Sequence, residues 1–386
     1  MQRRQFLTLG ASLPFWPLSA LAQTDEFEVY KQQELQAFSD YETALNQAFA
    51  AYKQLYETEF VKYKKTLSTR WRDPEVSAPT KWVTYDETLA HKLVIDYEKG
   101  EVRIESVTPP SGQQRAEINE MIRQLNRADL FKLVDRDPMD HALNDFTAEE
   151  NIKLNRLAGS LVAEKSPTIS PKYNPVQLNQ TLPRAQIVTT SQGQNLTRYV
   201  MPLSAKQLNQ AEQRYLLDVN QQAKRWQIEP SLVMAIAKCE SAFNPLAKSH
   251  VPAFGLMQIV PRSAGLDASK LIYGEPRLVS PSYLYTPRNN LQMGSAYLHI
   301  LHNRYFNEVK DPQSRLYCAI AAYNTGPGNV ARAFTGSTKL TPMYDRINQM
   351  SSTRVHGTLL NNLPYDETKN YLRKVLAAKQ SYQNLS

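Results

Sequence analysis

Long apolar runs are missing from this 386-residue chain: no stretch of 18 or more apolar residues occurs, which excludes a bilayer-spanning helix. Cysteine is nearly absent as well. Only Cys239 and Cys318 occur, both in the second half. So few cannot form a disulfide framework, and their spacing matches no metal site. In an exported protein they could pair, or they could stay free as buried thiols. Histidine is sparse at six residues. No His-Glu-x-x-His run exists, and His299 with His302 stands without further ligands, so neither a metal nor a cofactor is expected.

The N-terminus reads as a targeting segment over residues 1–22. Arg3-Arg4 precede Phe6-Leu7, an apolar run continues to about Leu21, and Ala20-Leu21-Ala22 offers small residues for cleavage. The paired arginines with Phe-Leu favour a twin-arginine export signal. The mature protein is then expected to start near Gln23, in the periplasm. No cysteine stands near that point, so a lipid anchor is not expected, although peripheral association with the outer membrane stays open.

Charge is divided unevenly. From Ala205 onward 21 Lys and Arg face 11 Asp and Glu, a net of +10, whereas residues 23–204 carry 22 against 26, a net of −4. A basic half suits an anionic partner: nucleic acid, a membrane surface or an acidic cell-wall polymer. Export removes nucleic acid from that set, and plain solubility is the alternative.

Residues 27–63 hold a repeat. Phe27, Phe38, Phe49 and Phe60 recur every eleven residues, each followed three later by Tyr30, Tyr41, Tyr52 and Tyr63. Eleven residues make three turns at about 3.67 per turn, so all eight rings lie on one stripe of a helix on the order of 55 Å long. Such a stripe needs a cover. Core packing is the plainer reading, and association with another protein or a second copy is the other. A β-hairpin follows, Lys92 to Tyr97 and Val102 to Val107 about a turn at Glu98-Lys99-Gly100. Helices are expected at Gln113–Leu133 and Ala148–Lys165, then a Pro- and Ser-rich connection from Ser166 with short strands at Ala185–Thr189 and Thr197–Met201. Beyond Ser204 the pattern is helical: Ala205–Trp226, Pro230–Ser241, Asn289–Arg304, Ser314–Tyr323, Gly328–Ala333 and Glu367–Tyr382. The fold class is therefore α+β, with a mostly α domain at 205–386 and an α+β domain at 23–204.

The segment from Ser231 to Glu240 is a nearly apolar helix with an acid in its last turn. Desolvation and the negative end of the helix dipole both raise the pKa of Glu240. A carboxyl held protonated near neutrality is what glycosidic cleavage needs to protonate a leaving oxygen. Taken alone, an acid at a helix end is more often a solvated surface residue.

The surrounding motifs change that balance. Glu240-Ser241-Ala-Phe243-Asn244-Pro245, Ser249, Gly255-Leu-Met-Gln258, Ala322-Tyr323-Asn324-Thr-Gly326-Pro-Gly328 and Glu367-Thr368 with Tyr371 stand in this order. The set resembles the soluble-lytic-transglycosylase domain, a goose-lysozyme-like α fold. Upstream, Trp82-Val-Thr-Tyr85 through the hairpin to Ile104-Glu105 resembles the N-terminal domain of the membrane-bound lytic murein transglycosylase C family, as does the approach from Tyr199 to Lys224. The long aromatic helix and the absent lipidation cysteine depart from that family.

The resemblance implies that Glu240 is the acid/base and that Ser249, Gln258, Tyr323, Asn324 and Tyr371 contact the substrate, a peptidoglycan glycan strand. It also implies that the substrate's N-acetyl group supports the charge at the reacting carbon, with 1,6-anhydromuramic acid as product. Conventional glycosidases use two carboxylates roughly 5 to 10 Å apart, and no Asp or Glu occurs between Glu240 and Asp267, although a second acid could come from elsewhere in the fold. The competing readings are a lysozyme-like hydrolase and a noncatalytic wall-binding protein.

Overall fold

The aromatic stripe lies on a single helix, α1 (Ala20–Leu67), about 72 Å long at 1.5 Å per residue. The structure is a computed structural model that describes residues 20–157, 178, 181–203 and 205–383. Most of the expected export signal, 1–22, lies outside the described residues. The side chains of Phe27, Tyr30 and Phe38 do too. From Tyr41 onward the chain itself covers the stripe. Phe49 and Tyr52 are buried, while Tyr41, Phe60 and Tyr63 are partly buried against the core. Tyr56, outside the eleven-residue repeat, is buried as well, because i and i+4 positions share a helix face with Tyr52 and Phe60. The covering partner is chiefly α4 (Pro138–Leu157).

Five antiparallel strands form one sheet in the order β1-β2-β3-β5-β4, namely β1 (Lys81–Tyr85), β2 (His91–Asp96), β3 (Glu101–Ser106), β5 (Asn195–Pro202) and β4 (Gln186–Thr189). The expected hairpin is β2–β3, in register with Leu93 opposite Ile104. Strand β1, unforeseen, is only five residues long. β5 pairs with β3, so the segment read as a connection completes the sheet. Leu93, Ile95, Val102 and Ile104 face the main core. Val83, Tyr85 and Val94 pack with Leu67, Trp71 and Leu196 on the other side, which is why β2 is buried along its whole length.

The helix expected over 113–133 is two. Ala128 is extended after α2 (Gly112–Arg127), and the Asp129 side chain accepts from the Lys132 amide to start α3 (Leu130–Asp135). The next helix, α4, begins ten residues earlier than Ala148. Asp137 accepts from the Met139 amide there, and Pro138 occupies the first turn, where its missing N–H costs nothing.

The second half follows its pattern closely through α5 (Ala205–Trp226) and α6 (Pro230–Ser241). It adds the short helices α7 (Leu266–Tyr273) and α8 (Pro281–Tyr285) before α9 (Pro287–Ile300). A π-helical turn, Leu301–Tyr305, continues α9 where the regular helix was expected to reach Arg304. Then come α10 (Pro312–Thr325), α11 (Pro327–Thr335), α12 (Leu340–Ile347), α13 (Ser352–Asn362) and α14 (Asp366–Ser381). Cys239 and Cys318 are free thiols. Among the described residues, no helix is long and apolar enough to cross a membrane, and no three His, Cys, Asp or Glu gather as a metal set.

Candidate active site

Helix α6 is buried from Ser231 to Ala237, so its last turn delivers Glu240 from an apolar core. Pro230 opens the helix; Ala242 and Phe243, with φ of 50° and 63°, end it by turning left-handed. Two consecutive non-glycine residues in that region are costly and persist only where packing enforces them. Here Phe243 is clamped between rings, stacked on Tyr215 at 6.3 Å and edge-on to Tyr382 at 6.4 Å. Ser241 Oγ donates to Ala237 O and Leu256 O, as a structural serine would.

Burial pushes the Glu240 carboxyl up to about 7; the Tyr371 hydroxyl opposes this shift and the Glu367 carboxylate adds to it. Tyr371 comes from α14 and Tyr323 from α10. Burial, then the neighbouring Glu240, pushes both phenols far above their ordinary range, so they stay neutral. Tyr371 Oη sits beside the carboxyl without a hydrogen bond of full geometry. The Cys239 thiol is pushed up to about 11 by burial and by Glu240, which leaves it a poor nucleophile.

The Gly255–Gln258 loop is sutured to this site. Tyr323 Oη donates to Met257 O at 2.8 Å, and Ser241 holds Leu256 O. Gln258 has φ 47°; its Nε2 donates to Gly255 O at 3.1 Å, and its Oε1 is buried without a partner. Asn324 Oδ1 accepts from Thr368 Oγ1 at 2.7 Å, which ties α10 to α14. Tyr323, Tyr371 and the Gln258 loop thus converge on Glu240. The hydrogen bonds of Ser249 lead elsewhere: its amide donates to Ala253 O, its Oγ accepts from the Val251 amide, and its carbonyl accepts from Tyr56 Oη.

Two supports escaped the sequence reading. Asn290, at the start of α9, donates to Phe254 O and Leu284 O and accepts from the Met257 amide, so one buried side chain holds three backbone groups of the site. An Asn near a helix start carries no signal for that. Lys248, the residue before Ser249, is buried in an ion cluster with Asp137 and Asp140. Its partners lie more than a hundred residues away, beyond any local pattern. A cavity of about 650 Å³ opens between α1, β1 and α3, with Lys248 on its wall, and Glu240 does not line it. Chemistry rather than cavity size marks the acid.

Residues 218–343 match the family model described as the transglycosylase SLT domain. Membrane-bound lytic murein transglycosylase C of Klebsiella pneumoniae subsp. pneumoniae is 30% identical over 314 residues, covering 80% of this chain and 83% of that one. The chain belongs to this family. The Haemophilus ducreyi relative of the same name is 40% identical over 195 residues, a match that spans about half of each, 50% and 52%. Among solved structures, an inactive mutant of the lytic transglycosylase Slt from Pseudomonas aeruginosa is 30% identical over 46% of this chain and 25% of that chain, with a TM-score of 0.34. The 218–343 match encloses Glu240, Ser249, Gln258, Tyr323 and Asn324 and stops short of Tyr371.

Proposed function

We propose that this family member cleaves the β-1,4 bond between N-acetylmuramic acid and N-acetylglucosamine in peptidoglycan, leaving 1,6-anhydromuramic acid ends, with Glu240 as acid and base. The observation that carries the reading is one carboxyl, at the end of an apolar helix, held near a pKa of 7 between two neutral phenols. Glu240 protonates the bridging oxygen as the bond breaks. As carboxylate it then takes the proton from the sugar's 6-hydroxyl, whose oxygen closes on the same carbon. The proton is returned and no water is consumed. The unpaired Gln258 Oε1 is an acceptor for a substrate N–H or O–H; Ser249, Asn324 and Tyr371 complete the contacts. Residues 205–386 carry this chemistry and 23–204 support it, acting on glycan strands in the periplasm.

Digested murein should release products one water lighter than a hydrolase's. Mass spectra showing only reducing-end fragments would instead support lysozyme-like hydrolysis. One observation favours that second reading: Glu367, exposed on the first turn of α14, lies near enough to raise the pKa of Glu240 and could steer a water.

Cleavage needs the protonated acid, so lysis of purified sacculi should be full below pH 7 and decline as pH rises through about 7. The Tyr371 hydroxyl holds that pKa down. Tyr371→Phe should therefore move the alkaline limb to higher pH, and a move to lower pH contradicts this role.

A further inference from the structure

The loop that carries Ser249 is gripped from behind by the first half of the chain. Lys248 Nζ, 4% exposed as a residue, donates to Asp137 Oδ2 at 2.5 Å and Asp140 Oδ1 at 3.0 Å, at the start of α4. Tyr285 Oη donates to both Asp140 oxygens at 3.3 and 3.2 Å. One residue further, Tyr56 Oη of α1 donates to Ser249 O at 2.5 Å, and its ring meets Phe254 edge-on at 6.4 Å. The loop's own bonds are Ser249 N to Ala253 O, Val251 N to Ser249 Oγ, Gly255 N to Ala247 O, and the bridge of Lys248 with Phe254. The cavity of about 650 Å³ borders Lys248, so the ion cluster forms part of its wall.

We infer that Asp137, Asp140 and Tyr56 are positioning residues for the glycan-binding loop: by fixing Lys248 and the Ser249 carbonyl, they set where the Ser249 hydroxyl meets the sugar. This rests on the reading above for the identity of the glycan. Burial alone would drive the Lys248 ammonium toward neutrality, but Asp137 and Asp140 hold its pKa above the ordinary value, so it stays charged. Asp140, buried with a second carboxylate beside it, is pushed up to about 7. A lysine without these carboxylates would have no reason to stay folded inward, because burying an unpaired ammonium is strongly unfavourable.

The test uses the full chain with and without Glu240→Gln, so that binding to purified murein is read apart from lysis. Tyr56→Phe removes one hydroxyl and keeps the ring. It should retain the wild-type circular dichroism while weakening binding and raising KM roughly three- to tenfold, the worth of one hydrogen bond, with kcat changed less. Lys248→Met strands the buried Asp140 carboxylate, with the half-buried Asp137 beside it, and should lower Tm sharply. Adding Asp137→Asn and Asp140→Asn removes those charges, so stability should recover while binding stays weak. Recovery of both, or wild-type binding and KM in Tyr56→Phe, makes the cluster merely structural and overturns the inference. A wild-type chain that binds murein without cutting it sinks the proposed activity and leaves the binding arm to judge this inference. A wild-type chain that does not bind overturns both.

Discussion

Glu240→Gln is expected to cut muropeptide release by roughly 10²–10⁴-fold while leaving the protein folded and able to bind murein. The amide keeps the size of the carboxyl and can still face Tyr371, but it has no proton to deliver. Stability should move the other way. Burial holds the folded-state pKa at about 7, above the ordinary carboxyl value, so folding favours the protonated form. The contribution is fully present below the unfolded pKa and is lost as pH rises through about 7. The amide variant should therefore melt higher than wild type at pH 8 and show little difference at pH 5. Wild-type lysis by Glu240→Gln, or a lower Tm at pH 8, contradicts the assignment.

Gly255→Ala should be the most damaging single methyl in the catalytic half. Gly255 has φ +74°, and a Cβ there would sit 2.2 Å from Leu284 O and 2.4 Å from Asn290 Nδ2. Those are the two partners of the Asn290–Leu284 hydrogen bond, so the methyl strains the backbone and displaces the side chain that also holds Met257 and Phe254. A cost of about 4 kcal/mol or more is expected, since clash, lost hydrogen bonds and positive φ act together. Gly274 and Gly336 provide the control. Both have positive φ, at 85° and 72°, and a Cβ at either meets nothing within 4 Å. Their alanine variants should lose only about 1–2 kcal/mol, the backbone term alone. Thermal melts in which all three variants coincide would remove the steric argument.

Much of this site is legible along the chain because its parts are local. An apolar run capped by Pro230 gives α6 and puts Glu240 in its last turn, and the Tyr323 and Tyr371 motifs sit on helices with clear periodicity. What escapes is whatever depends on meeting a distant residue. Tyr56 breaks the eleven-residue repeat that draws the eye, yet its place four residues after Tyr52 marks it as core. Lys248 reads as a surface lysine until Asp137 and Asp140 are brought to it. The sequence pattern placed the strands of β2 and β3 within one residue, but the pairing of β3 with β5 has no local signature. The break between α2 and α3 was available in Asp129, whose capping role the apolar periodicity on either side conceals.

The long first helix sets a schedule for the molecule's birth. Tyr56 meets its acceptor 193 residues later in the chain, and Tyr41 meets Pro276 O 235 residues later. At roughly 5–20 residues per second, the first of these partners is synthesised on the order of 10–40 s after the helix. Helix α4 can cover part of α1 early, but the ring-studded face that meets the second half must stay solvated or be shielded by something else in the interval. Replacing exposed positions on the opposite face, such as Val61 at 67% exposure, with charged residues should raise the soluble yield without touching the melting temperature.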